Sequence, residues 1–239
     1  MVDDRAMTPE HRARLHEAGV EADFFDATQY LRVTDPLPTW WHDSGNALYL
    51  SRGAALPDRV METLVMFPVR DVLIVIGSNL EWLTSLLVGG DDATVFIGRH
   101  CAITAGELYC GGASRIILQG RVLGTRSPIL DARNGGSIVA GVDQLWAADV
   151  YIATDDMHRL EDAITGERLN PFGAHIRLGE HVWLCRDAVL TGHVEIGDGS
   201  VVGMRSMVRG QKIAANVVVA GSPARVVREG ATWSHDDLP

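Results

Sequence analysis

One spacing governs what this chain can become. From residue 178 to residue 208 an aliphatic side chain recurs at every sixth position: Leu178, Leu184, Leu190, Ile196, Val202 and Val208. Two residues before each stand Ile176, Val182, Ala188, Val194, Ser200 and Ser206, all small or branched. An amphipathic helix needs a period near 3.6 and a half-exposed strand a period of 2, so six fits neither. It does fit a triangular coil of about eighteen residues, each side of which turns one aliphatic residue inward. Such coils stack about 4.8 Å apart through parallel strand pairing, and inward residues pack on their equivalents above and below. The expected fold is all-β, a left-handed parallel β-helix or hexapeptide-repeat solenoid. The spacing is echoed by Ile97, Ile103 and Tyr109, and by Ala140, Trp146 and Ile152. Trp146 holds an inward place and reads as core.

The first 70 residues do not repeat. Thr8 and Pro9 read as the N-cap and first position of a helix that Gly19 can close. Residues 58–67 read as a second short helix, and Pro36, Pro38, Trp40 and Trp41 between them as an extended segment. Solenoid ends need covering, so residues 1–70 are expected to form a mixed cap with short helices. Residues 71–228 would then be the β-helix and 229–239 a tail.

Composition removes several classes. The 239 residues and 46% apolar content suit one large domain with a filled core. No apolar run approaches the roughly eighteen residues of a membrane span, and the N-terminus lacks the apolar stretch of a secretory signal. Three cysteines, an odd number without metal-site spacing, read as reduced thiols of a cytoplasmic protein. The formal charge of −10 argues against nucleic-acid binding.

The repeat loses register between Ile152 and Leu178, which lie 26 positions apart, not a multiple of six. The intervening segment is polar and contains Asn170-Pro171 and Gly173. It reads as a loop, 153–177, thrown out from the coil, and loops on rigid scaffolds are where chemistry concentrates.

Residues 176–228 resemble the C-terminal half of hexapeptide-repeat acyltransferases. The likeness is carried by VWL at 182–184, IGDGSVVG at 196–203 and AGSPARVV at 220–227. Upstream, TDDMHRLEDAITGERLN resembles the catalytic loop of the branch that O-acetylates capsular and other bacterial saccharides. The resemblance is specific over about residues 138–235, looser over 72–137 and absent from the first 70. It implies an acetyl-coenzyme A donor, a homotrimer with active sites between subunits, a saccharide or glycosylated small-molecule acceptor, and no metal.

His158 falls where the resembled loop places its catalytic histidine. An imidazole titrating near neutrality can take a proton from an attacking hydroxyl and pass it to a leaving thiolate. Asp155 and Asp156 precede it; either could orient the ring or accept a hydrogen bond from a sugar hydroxyl, and the resemblance favours Asp156. Trp183, between the inward Val182 and Leu184, should project from the coil, and the resemblance puts it beside the histidine and the pantetheine arm. Between Asp198 and Glu229 no acidic residue occurs, while Arg205, Arg209, Lys212, Arg225 and Arg228 do. In an acidic chain that asymmetry suits the phosphates of coenzyme A, with Arg205, Arg225 and Arg228 as candidate contacts. The resemblance implies a pantetheine groove lined by Gly203, Ser206, Ala220 and Gly221, followed by a turn at Ser222 and Pro223. Two departures stand out. Met204-Arg205 follows Gly203 where a glycine usually makes the corner, and Cys185 likewise replaces a corner glycine.

The reading is therefore an acetyl-coenzyme A-dependent O-acetyltransferase acting on a hydroxyl of a sugar or glycosylated metabolite, by direct attack with His158 as base. Alternatives are N-acylation of an amino sugar and a non-catalytic scaffold or sugar-binding subunit. A metal enzyme of the same fold is disfavoured. His175 and His193, eighteen apart, could stack, but the paired short histidine spacing is missing.

Overall fold

The computed structural model describes residues 6–236. It is a left-handed parallel β-solenoid of about seven turns. The chain visits three faces in rotation. One coil lays Ser137–Ala140 on the first face, Gln144–Trp146 on the second and Tyr151–Ala153 on the third. The next lays down His175–Leu178, Trp183–Leu184 and Val189–Thr191. Strands pair in parallel with their counterparts a coil away, so Ile138 meets Ile176 and Ile176 meets Val194. Among the described residues the first face holds nine strands, the second seven and the third six.

Within each short strand two residues face in and the one between them faces out. Ile176, Leu178, Val182, Leu184, Ala188 and Leu190 are all buried, whereas Arg177 is exposed and Trp183 and Val189 are half-buried. Trp146 fills its inward place completely. Tyr109 does not: Leu108 and Cys110 are the buried residues of its strand. Leu108 follows Ile103 by five positions, so this corner is one residue short and Tyr109 is turned outward, where Arg133 lies 4.0 Å from its ring centre.

Corners demand left-handed backbone, which Asp and Asn tolerate better than most residues. Asp143, Asp149, Asp187 and Asn216 hold φ of +63°, +62°, +59° and +56°. Arg205 holds +56°, one coil after Asp187. The corner expected of a glycine is thus kept, with arginine making it.

Helix α1 (Pro9–Ala18) is capped as the sequence suggests. The Thr8 hydroxyl accepts from the His11 N–H at 3.2 Å and Gly19 closes the helix at φ +103°. It covers the outside of the first face, where Leu15 and Ala18 pack with Tyr49, Val75, Phe96 and Ile117. The end of the solenoid is closed by α2 (Thr39–Asp43) and α3 (Asp58–Leu64), whose Trp41, Val60 and Leu64 join the interior. Trp40 and Trp41 therefore sit in a helical turn rather than an extended segment, because Pro38 supplies the N-cap and not a strand. The strand Ala47–Ser51, inside the segment read as a cap, pairs in parallel with Leu73–Ile76 and opens the stack.

Candidate active site

The loop leaves the stack after Tyr151–Ala153 and rejoins it at His175–Leu178, so residues 175–177 of the expected loop are already strand. Its outer half is a small antiparallel ladder. The Leu169 N–H donates to the Leu160 carbonyl and the Asp162 N–H to the Glu167 carbonyl, both at 2.8 Å. The Asp162 carboxylate caps the turn by accepting from the N–H groups of Ile164 and Thr165 at 2.9 and 2.7 Å.

Asn170 ties the inner half together. Its amide nitrogen donates to the His158 carbonyl at 2.8 Å and to Asp156 Oδ2 at 3.3 Å, and its Oδ1 accepts from the Leu160 N–H at 2.9 Å. It is 6% exposed, and a buried amide with these partners holds backbone rather than solvent. The backbone of His158 is thus fixed on both sides, because its own N–H donates to the Asp156 carbonyl at 2.7 Å. The imidazole is exposed and, among the described residues, makes no side-chain hydrogen bond.

Neither aspartate touches that ring. Asp155 is buried and accepts from the Met157 N–H at 2.9 Å and from Asn134 Nδ2 at 2.8 Å. Asp156 forms an ion pair with Arg209 at 2.8 Å. Both carboxylates anchor the loop to the coil. Asn170 and Arg209 carry this anchoring, and the sequence reading did not single out either for it. Arg209 had a detectable signal, since it stands one coil beyond Thr191 at the root of the loop.

Trp183 projects from the second face, half-buried, with its ring 6.1 Å from that of Trp233. The loop of His158 springs from the corner between the third and first faces. One chain does not bring the two side chains together.

At the far end Gly203 packs tightly. A Cβ there would lie 3.2 Å from both the Ala220 side chain and the Val219 carbonyl. The Ser206 hydroxyl accepts from the Gly221 N–H at 3.0 Å. The strands Val217–Gly221 and Ala224–Glu229 form a hairpin across Ser222 and a cis Pro223. Three of the five cations here have acidic partners: Arg205 with Asp187 at 3.3 Å, Arg209 with Asp156, and Lys212 with Glu195 at 2.8 Å. Arg225 and Arg228, on the hairpin's outer strand, have none among the described residues.

The thiols are poor nucleophiles. Burial pushes Cys101 and Cys110 up to about 12 and raises Cys185 above its ordinary value, so all three stay protonated near neutrality.

No family model matches the chain. It is 50% identical over 94 residues to an Escherichia coli (strain K12) protein named as a colanic acid biosynthesis acetyltransferase, WcaF, covering 39% of this chain and 48% of that one. It is 33% identical over 101 residues to an E. coli (strain K12) protein named as a lipopolysaccharide biosynthesis O-acetyl transferase, WbbJ, covering 39% and 50%. The chain thus spans about half the length of these curated relatives. Its fold matches the crystal structure of the polySia specific acetyltransferase NeuO with a TM-score of 0.66, at 23% identity, over 72% of this chain and 79% of that one. The resemblance to hexapeptide-repeat O-acetyltransferases read from the sequence is thereby borne out.

Proposed function

We propose that the protein is an acetyl-coenzyme A-dependent O-acetyltransferase of saccharides, with His158 as general base. The observation that carries this is the contrast within one loop. Asn170, Asp155 and Asp156 are consumed in fixing the backbone, and the imidazole of His158 is left unbonded and exposed on a rigid support. That is the arrangement a base needs before its substrate arrives. His158 takes the proton of an acceptor hydroxyl as the oxygen attacks the thioester carbonyl. The carbon–sulfur bond then breaks, and the imidazolium returns the proton to the coenzyme A thiolate. No covalent enzyme intermediate enters, in keeping with three protonated thiols. The names of the relatives supply the saccharide acceptor.

Three copies would complete each site. The first face is covered by α1, but the other two carry outward apolar rows. Leu123, Leu145, Trp183, Val201 and Val218 stand in register on the second, and Ile129, Tyr151, Val189 and Met207 on the third. In a ring of three, the third face of one copy meets the second face of the next. The loop beside the third face then reaches the neighbour's Trp183. Its exposed apolar residues, Ile164 at 95% and Phe172 at 65%, suit contact with another subunit. Arg225 and Arg228 are assigned to the donor's phosphates and the groove at Gly203, Ser206 and Gly221 to its pantetheine arm. The reduced thiols and this donor suit the cytoplasm; no described helix is long and apolar enough to cross a membrane.

Replacing His158 with alanine should lower kcat by about 10²-fold or more, the usual scale for a lost general base, with the melting curve unchanged. A variant retaining near-normal kcat on a saccharide that the wild type acetylates would overturn the assignment.

A further inference from the structure

After its last coil the chain turns back along the corner between the first and second faces. The Ala231 N–H donates to the Asn216 carbonyl at 2.9 Å, and Trp233 stacks flat on the His181 ring, 4.1 Å away with 3° between planes. His235 reaches Asp143. Asn216, His181 and Asp143 are successive left-handed corner residues of this edge, with Gly199 between the first two. The tail is a strap laid across four coils.

The strap ends in a cluster. One ligand atom from each of Asp143, His181 and His235 lies within 4.8 Å of the other two. His181 Nδ1 stands 2.6 Å from Asp143 Oδ2, and His235 Nε2 stands 2.9 Å from Asp143 Oδ1. The other nitrogen of His181, Nε2, faces the Trp233 carbonyl at 2.9 Å. A carbonyl can only accept, so Nε2 carries the hydrogen and Nδ1 is turned toward the carboxylate. The second imidazole, His235, converges on the same carboxylate from the strap. Two imidazoles and a carboxylate form a donor set of the borderline divalent cations, and a ligating ring held by a backbone carbonyl at its far nitrogen is the usual support of such a site.

We propose that Asp143, His181 and His235 bind a divalent cation of the zinc class, which staples the C-terminal strap to the solenoid. Two ligands come from the coil and one from the strap, so the ion joins parts of the chain 92 residues apart. The strap places Trp233 beside Trp183, so the ion also steadies the surroundings of that residue. The site does not involve His158 and lies at a different corner of the solenoid.

The test is calorimetric titration of the untagged, chelator-treated protein with Zn²⁺, and with Co²⁺ for its visible spectrum. One ion per chain is expected, with a cobalt spectrum of low coordination number. Asp143→Asn and His235→Ala should each weaken binding by at least about tenfold. His193→Ala, which alters the other close imidazole pair, His175 and His193, should leave it unchanged. Hydrogen exchange over residues 231–236 should slow when zinc is added to the wild type and not to His235→Ala, a strap variant that spares the coil. Absence of saturable binding, or wild-type affinity in Asp143→Asn and His235→Ala, overturns the proposal and makes the cluster a hydrogen-bonded clasp.

Discussion

Arg205 shows how a single corner can redirect a site. Left-handed backbone costs an ordinary L-residue roughly 1–2 kcal/mol, and here Arg205 adopts it beside Asp187, a left-handed neighbour one coil away. The ion pair at 3.3 Å joins them, with the Arg205 side chain 80% exposed, so it contributes little to stability. Its effect is on availability: the guanidinium already has an anion. Among the described residues Arg225 and Arg228 are the two cations of this stretch without an acidic partner, which is why the proposed function gives them the phosphates. Arg225→Glu should raise KM for acetyl-coenzyme A more than KM for its 3′-dephospho form, with kcat nearly unchanged. Equal effects on both donors would remove the phosphate contact. The sequence displayed the departure at 204–205 openly. Its meaning lay in stacking, since residues eighteen apart are neighbours in a solenoid, and scanning for opposite charges at that separation would have found Asp187 and Arg205. The cluster proposed to bind a metal left no comparable sign. Asp143, His181 and His235 share no motif spacing, and a strap folding back on the coil is invisible to a periodic reading.

The loop proposed to carry the base is an element without a repeat, yet it is not loose. Its rigidity comes from one side chain that serves three groups, Asn170, and from the Asp156–Arg209 pair that roots it in the coil. Asn170→Ala leaves the His158 carbonyl and the Leu160 N–H without partners, and an unmet buried polar group costs about 1–3 kcal/mol. That cost falls on the loop alone. The expected result is a kcat reduced by about 10²-fold, the loss that misplacement of a reacting group by about 1 Å brings, with a melting temperature close to wild type and faster hydrogen exchange over 155–170. An unaltered kcat would show that the loop's geometry does not depend on Asn170. Sequence marked this loop by a break in the period of six and marked His158 by its context. It could not assign Asp155 and Asp156 between catalysis and anchoring, because that depends on which side of the backbone each carboxylate leaves.

As a whole the molecule is a three-sided prism with unequal sides. One side is clad by α1, and two present apolar rows. Closing a ring would satisfy both open sides at once, as the proposed trimer does. Leu123→Glu, at a position 41% exposed on the second face, should convert the proposed trimer to monomer in light scattering and abolish transfer, with the β-rich circular dichroism retained. A trimer that persists would place the interface elsewhere. The core was legible at this scale, since every aliphatic residue of the run from 178 to 208 is buried. The cladding was not, because α1 packs on outward residues such as Val75 and Phe96 that the inward period does not weigh. One further property follows from the pairing of Ile138 with Ile176. The two coils pair as though the loop between Ala153 and His175 were an ordinary corner, and the closure entropy of a longer or shorter excursion changes only slowly with its length. The prism is therefore indifferent to what is inserted at that edge. Under the proposed function, exchanging that one insert should alter acceptor preference while the coils keep their pairing.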